Sequence, residues 1–173
     1  MSEGKTGRGG LYWIILYSIL SVAMAVQVSL LFLLPVGRVG WLALTGWGLF
    51  ALSAVLGWVP IFVFRRHGRV AKGRSYIHTT RLVTSGPYAI VRHPQFVAWD
   101  LLAVAVMCIT QHWGVFAAGG IGIVANHLTM TKADRDLVEK FGDPYREYIE
   151  RVPRSNLLLG LWRWARHRNA PPR

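Results

Sequence analysis

Two uninterrupted apolar stretches, 11–35 and 41–64, open the chain and are parted only by a short turn through Gly37, Arg38 and Gly40. Neither contains a charged side chain. Each is long enough to cross the hydrocarbon core of a bilayer, which takes roughly 20 residues of helix. An arginine-rich segment follows, and then a second apolar pair, 96–110 and 113–130, separated by Gln111 and His112 alone. So short a connection leaves room only for a tight hairpin. The pattern predicts an all-α, polytopic membrane protein with about four transmembrane helices. The loop 65–95 and the tail 131–173 are expected on the cytosolic side, the whole of 1–173 forming a single domain whose tail carries an amphipathic helix.

Lys5 and Arg8 precede the first apolar run in the manner of a signal peptide. The run is too long for that role and no small-residue cleavage site closes it, so the segment is expected to stay in the mature protein. Gly46, Gly48 and Gly57 offer small surfaces for helix packing. Trp41, Trp47, Trp58, Trp99, Trp113, Trp162 and Trp164 fall mainly near predicted helix ends, where interfacial anchors belong.

Composition agrees with a membrane protein: 53% of the 173 residues are hydrophobic and 16% are charged. A formal net charge of +12 would suggest nucleic acid as the partner of a soluble chain. Here the placement of the charge argues for lipid instead, and nucleic acid is not expected. Arg65, Arg66, Arg69, Lys72, Arg74, Arg81 and Arg92 occupy the central loop with no acidic neighbour, and the tail adds a further series of Lys and Arg. With the helices paired as hairpins, these segments and the N-terminus share one face. The positive-inside rule makes that face cytoplasmic, most simply of the inner cell membrane, and its charge suits anionic headgroups.

Little conventional site chemistry is present. Cys108 lies inside an apolar span, so neither a disulfide framework nor a CxxC metal pattern arises. His67, His78, His93, His112, His127 and His167 show no HxxxH or HExxH spacing, and no metal site is expected. No GxGxxG or other phosphate loop follows a strand. What stands out is Gly86-Pro87-Tyr88-Ala89-Ile90-Val91-Arg92-His93-Pro94, which puts a cation, an imidazole and a backbone break where an apolar helix begins. Asp100 is the only acid in an apolar span, a functional candidate that pairing with Arg92 would make structural. Asn126 and His127 are placed near the cytosolic end of the fourth span, where His127 suits a base for an acceptor amine or thiol.

The run from Leu82 through Arg92-His93-Pro94-Gln95-Phe96, followed by Phe141-Gly142-Asp143-Pro144-Tyr145-Arg146-Glu147-Tyr148 and Arg151-Val152-Pro153-Arg154, resembles the isoprenylcysteine carboxyl methyltransferases and their phospholipid methyltransferase relatives. The resemblance covers roughly the C-terminal half, with two motifs in the family's order around a helical hairpin. It implies an integral membrane enzyme that binds S-adenosyl-L-methionine at the cytosolic face and methylates a lipophilic acceptor. Carried over residue by residue, it implies cofactor contacts from Leu82, Val83, Tyr88, His93, Pro94, Gln95 and Phe96, and catalytic roles for Arg92 and Asp134, to which position on the fourth span adds His127 as the catalytic base. Tyr88 and Phe96 would pack against adenine or sulfonium, and Arg92 would meet the cofactor carboxylate. Tyr145, Tyr148 and the Arg151 to Arg154 stretch would fold back over the pocket.

The chain departs from the family at named positions. Ala133-Asp134 stands where members usually carry Glu-Glu, Thr129 where the prenylcysteine enzymes have an acceptor-binding arginine, and Phe96 where a tyrosine is common. The alternative these departures raise is a non-catalytic membrane binding or accessory protein that keeps the methyltransferase fold.

Overall fold

The computed structural model describes residues 3–67 and 82–168. Among them the only regular elements are helices: α1 (Glu3–Leu33), α2 (Gly40–His67), a single 3-10 turn (Gly86–Ala89), α3 (Pro94–Thr110), α4 (Trp113–Phe141), α5 (Asp143–Arg151) and α6 (Leu157–Arg168). Arg69, Lys72, Arg74, His78 and Arg81 of the basic loop lie outside the described residues.

Among the described residues three helices are long and apolar enough to cross a membrane, Gly10–Leu33, Gly40–Val63 and Trp113–Phe141, and Pro94–Thr110 is a shorter apolar helix. Only 22% and 17% of the first two windows are buried within the protein, so most of their apolar surface is left for lipid. Phe32, Trp41, Leu44 and Phe62 are among the side chains facing outward.

The boundaries differ from the sequence expectation in instructive ways. α1 ends at Leu33 rather than 35, before Pro35, whose preceding residue disfavours helical backbone. α3 begins at Pro94 rather than 96, because a proline at the first helical position has no N–H to satisfy. α4 does not stop at 130. Its charged residues continue the helix to Phe141, where Gly142 breaks it with φ of 62°. Asn126 and His127 therefore lie in the middle of α4, not near its end. The tail holds two helices rather than one, because Pro153 separates α5 from α6.

The chain divides into two compact units. The first comprises Met1–Ser53 and Trp99–Lys132. Its apolar centre is Val106, Met107 and Val115 with Leu30, Leu31 and Leu102 around them. Two amides tie it together. Gln27, 1% exposed, donates from Nε2 to the carbonyls of Ala103 at 3.2 Å and Val115 at 3.3 Å. Gln111 donates to Val39 O at 2.9 Å and accepts from Val39 N at 3.1 Å, so one side chain links the two interhelical turns. The second unit comprises Ala54–Ala98 and Ala133–Arg173. Its core is Tyr145, Tyr148 and Val152, packed by Leu82, Leu137, Val138, Phe141 and Ile149.

Candidate functional site

The conspicuous polar feature of the second unit grows from the turn before α3. Gly86 takes φ of 62° with Val63 close against it, and Pro87 O then accepts from Ile90 N at 3.1 Å and Val91 N at 3.0 Å. Arg92 and His93 emerge from this turn in non-helical backbone. Their N–H groups donate to Pro153 O at 3.0 Å and Arg154 O at 3.2 Å, so the segment after α5 lies directly along them.

Asp134, 6% exposed, receives the side chains. Its Oδ2 accepts from Arg92 Nη2 at 2.9 Å and Arg154 Nε at 2.8 Å. Its Oδ1 accepts from His93 Nε2 and Tyr145 Oη, both at 2.7 Å. An ionised carboxylate is acceptor-only, with room for about four donors, and here each oxygen has two. The arrangement therefore fixes the proton of His93 on Nε2. Asp134 has no lone pair left for a ligand, so its influence passes through the groups it holds.

Arg92 is similarly engaged. Nη1 donates to the carbonyls of Ile149 at 3.1 Å and Val152 at 2.7 Å, satisfying the C-terminal end of α5 with a cation. Its Nε is buried with no hydrogen-bond partner among the described residues. Tyr148 Oη donates to Tyr88 O at 2.5 Å, and the Tyr145 and Tyr148 rings meet edge to face at 5.7 Å. Burial, and then the bond to Asp134, pushes the Tyr145 phenol well above its ordinary range. Burial also raises that of Tyr148. Both phenols thus remain donors.

Of the residues singled out from sequence, Arg92, His93 and Asp134 come together directly. Val83, Tyr88 and Pro94 are buried around them, while Leu82, Gln95 and Phe96 are half-buried. The Phe96 ring meets His93 edge-on at 5.6 Å. His127 is not a member of this cluster. It belongs to the first unit, where its Nε2 lies 3.4 Å from Asp100 Oδ2 while Asn126 donates to Asp100 Oδ1 at 2.7 Å. Asp100 is thus partnered by α4, while Arg92, the partner that would have made it structural, pairs with Asp134.

Sequence reasoning missed Arg154 as a partner of Asp134, and it missed Gln27 and Gln111. For the two glutamines a signal was available: an amide within or beside a long apolar run has to find carbonyls. For Arg154 there was none beyond its place after the tyrosines.

Residues 67–139 match the sequence model of the isoprenylcysteine carboxyl methyltransferase (ICMT) family. Human protein-S-isoprenylcysteine O-methyltransferase is 32% identical over 126 residues, which cover 67% of this chain and 41% of the human protein. The chain thus spans less than half the length of that relative. No solved structure matches it significantly. The matched segment contains Arg92, His93, Pro94 and Asp134, the groups that meet in the second unit, so the likeness to the ICMT family falls on the residues that build the cluster.

Proposed function

We propose that this chain transfers a methyl group from S-adenosyl-L-methionine to a lipidic or lipid-attached acceptor at the cytosolic face of the cell membrane, with both termini cytoplasmic. The observation that carries the reading is the buried assembly of Arg92, His93 and Asp134 within a segment matched to a methyltransferase family, in a chain with membrane-crossing helices. The relative's name points to the oxygen of a prenylated cysteine as one acceptor, within the wider class of membrane lipids and lipophilic groups.

The residues present fit such a cofactor. The unpaired N–H at Arg92 Nε is a buried donor suited to a carboxylate. Gln95 and Phe96 retain accessible surface for a polar group and for a cation over a ring. Leu82, Val83, Tyr88, His93 and Pro94 would form the supporting wall. The cofactor supplies a methyl already activated on sulfonium, so the protein's task is placement rather than covalent catalysis. In this reading Asp134 is a positioning residue that holds Arg92 and His93. An acceptor arriving as a carboxylate needs no base. An amine, thiol or phenol does need one.

A non-catalytic binding protein is the second reading, favoured by the absence of a carboxylate at Ala133 and by the saturation of Asp134. Calorimetric titration of detergent-purified protein with S-adenosyl-L-methionine tests both. Saturable binding that weakens in Gln95→Ala and Phe96→Ala but persists in Trp113→Ala is expected, together with passage of labelled methyl into lipid. Binding without transfer to any lipid would favour the accessory reading, and no binding by the unaltered protein would overturn the cofactor assignment.

A further inference from the structure

α6 has an apolar face that the fold leaves uncovered. Leu158, Leu161, Trp162 and Ala165 recur at the i, i+3, i+4, i+7 spacing of one helical stripe, and all four are exposed, Leu158 by 81% and Trp162 by 58%. The opposite face is fixed. Gly160 is buried so tightly against Ile90 that a Cβ there would collide with the Ile90 carbonyl, and Arg163 Nη1 donates to Glu150 O at 3.2 Å. The stripe is therefore held outward by packing on the other side.

The sequence of α6, LLLGLWRWARHR, contains arginines and no acidic residue. Arg166 lies over the Trp162 ring at 5.5 Å, so its charge borders the apolar stripe. An aromatic and leucine stripe flanked by arginines suits the headgroup and acyl boundary of an anionic bilayer. A bilayer is already required by the spans of α1, α2 and α4, and the end of the α2 span belongs to the same compact unit as α6.

We infer that α6 is an interfacial helix that binds the surface of an anionic phospholipid membrane, seating Leu158, Leu161, Trp162 and Ala165 among the upper acyl carbons while Arg166 engages phosphate-bearing headgroups. Because Gly160 rests on Ile90, two residues before Arg92, this docking steadies the turn that presents Arg92 and His93. The surface is distinct from the cofactor-facing residues and does not depend on the chemistry proposed for them.

The test uses full-length protein in nanodiscs of phosphatidylcholine alone or mixed with phosphatidylglycerol. A nitroxide is placed at Leu158→Cys, and separately at Ala165→Cys, in a Cys108→Ala background whose helicity and dispersity match the unaltered protein. The expected result is that both labels are more accessible to oxygen than to a water-soluble nickel relaxant in the mixed discs. The preference should shrink in phosphatidylcholine alone and in Arg166→Gln. Labels that stay in water in both lipids overturn the inference. So does burial of the labels that is already present in detergent and accompanied by dimer, which would assign the stripe to a second copy of the chain.

Discussion

Tyr145 Oη donates to Asp134 Oδ1 across 2.7 Å, joining α5 to the last turns of α4 by a bond between a phenol and a buried carboxylate. Tyr145→Phe keeps the ring in the core and removes only the donor. Loss of a hydrogen bond to a charged group costs about 1.5–3 kcal/mol. A denaturant titration in detergent should show that loss, with helix content retained below the midpoint.

The same phenol makes stability sensitive to alkali. Its folded-state pKa is raised above the ordinary value of about 10, so above that pH the unfolded chain releases a proton that the folded chain keeps. Stability is fully present below pH 10 and falls as pH climbs past it. Melting temperatures across that range should decline in the unaltered protein and decline less in Tyr145→Phe.

Asp134→Ala removes the shared acceptor of Arg92, Arg154, His93 and Tyr145. A buried ion pair broken from one side costs about 3–5 kcal/mol, because the remaining charge is left without compensation. The variant should lose the tail's protection, read as rapid proteolysis between α5 and α6. Arg92→Lys should not rescue the geometry. Arg92 bridges Asp134 and two α5 carbonyls at once, and an ammonium lacks that fork.

Gly142→Ala isolates a backbone effect. No atom lies within 4 Å of the added Cβ, but φ is 62°, so the cost is conformational, about 1–2 kcal/mol. A midpoint shift of that size with unchanged cofactor affinity is expected.

The helices were legible in the sequence because long apolar runs leave a bilayer-facing chain little choice. Charge, by contrast, is a poor guide to where a helix ends, and α4 carries Asp134 and Leu137 well past its apolar run. Arg92 and His93 were recognisable from the Arg-His-Pro triplet and its surroundings. Their partners were harder to read, because Asp134 sits among charges at helical spacing that resemble a solvated face, and only the folding back of α5 buries it. For His127 the helix that carries it was legible, but not that its ring would lie beside Asp100.

The order in which Asp134 acquires its partners has a consequence for biosynthesis. A ribosome makes Arg92 and His93 first, then α3 and the part of α4 that leads to Asp134, and Arg154 only after a further 20 residues. Domains assemble from the N-terminal side during translation, yet this unit waits for its last contributors. Membrane insertion of the hairpin must accordingly precede closure, and a nascent chain stalled before Arg154 would hold two cation-bearing segments that a quality-control protease can still reach.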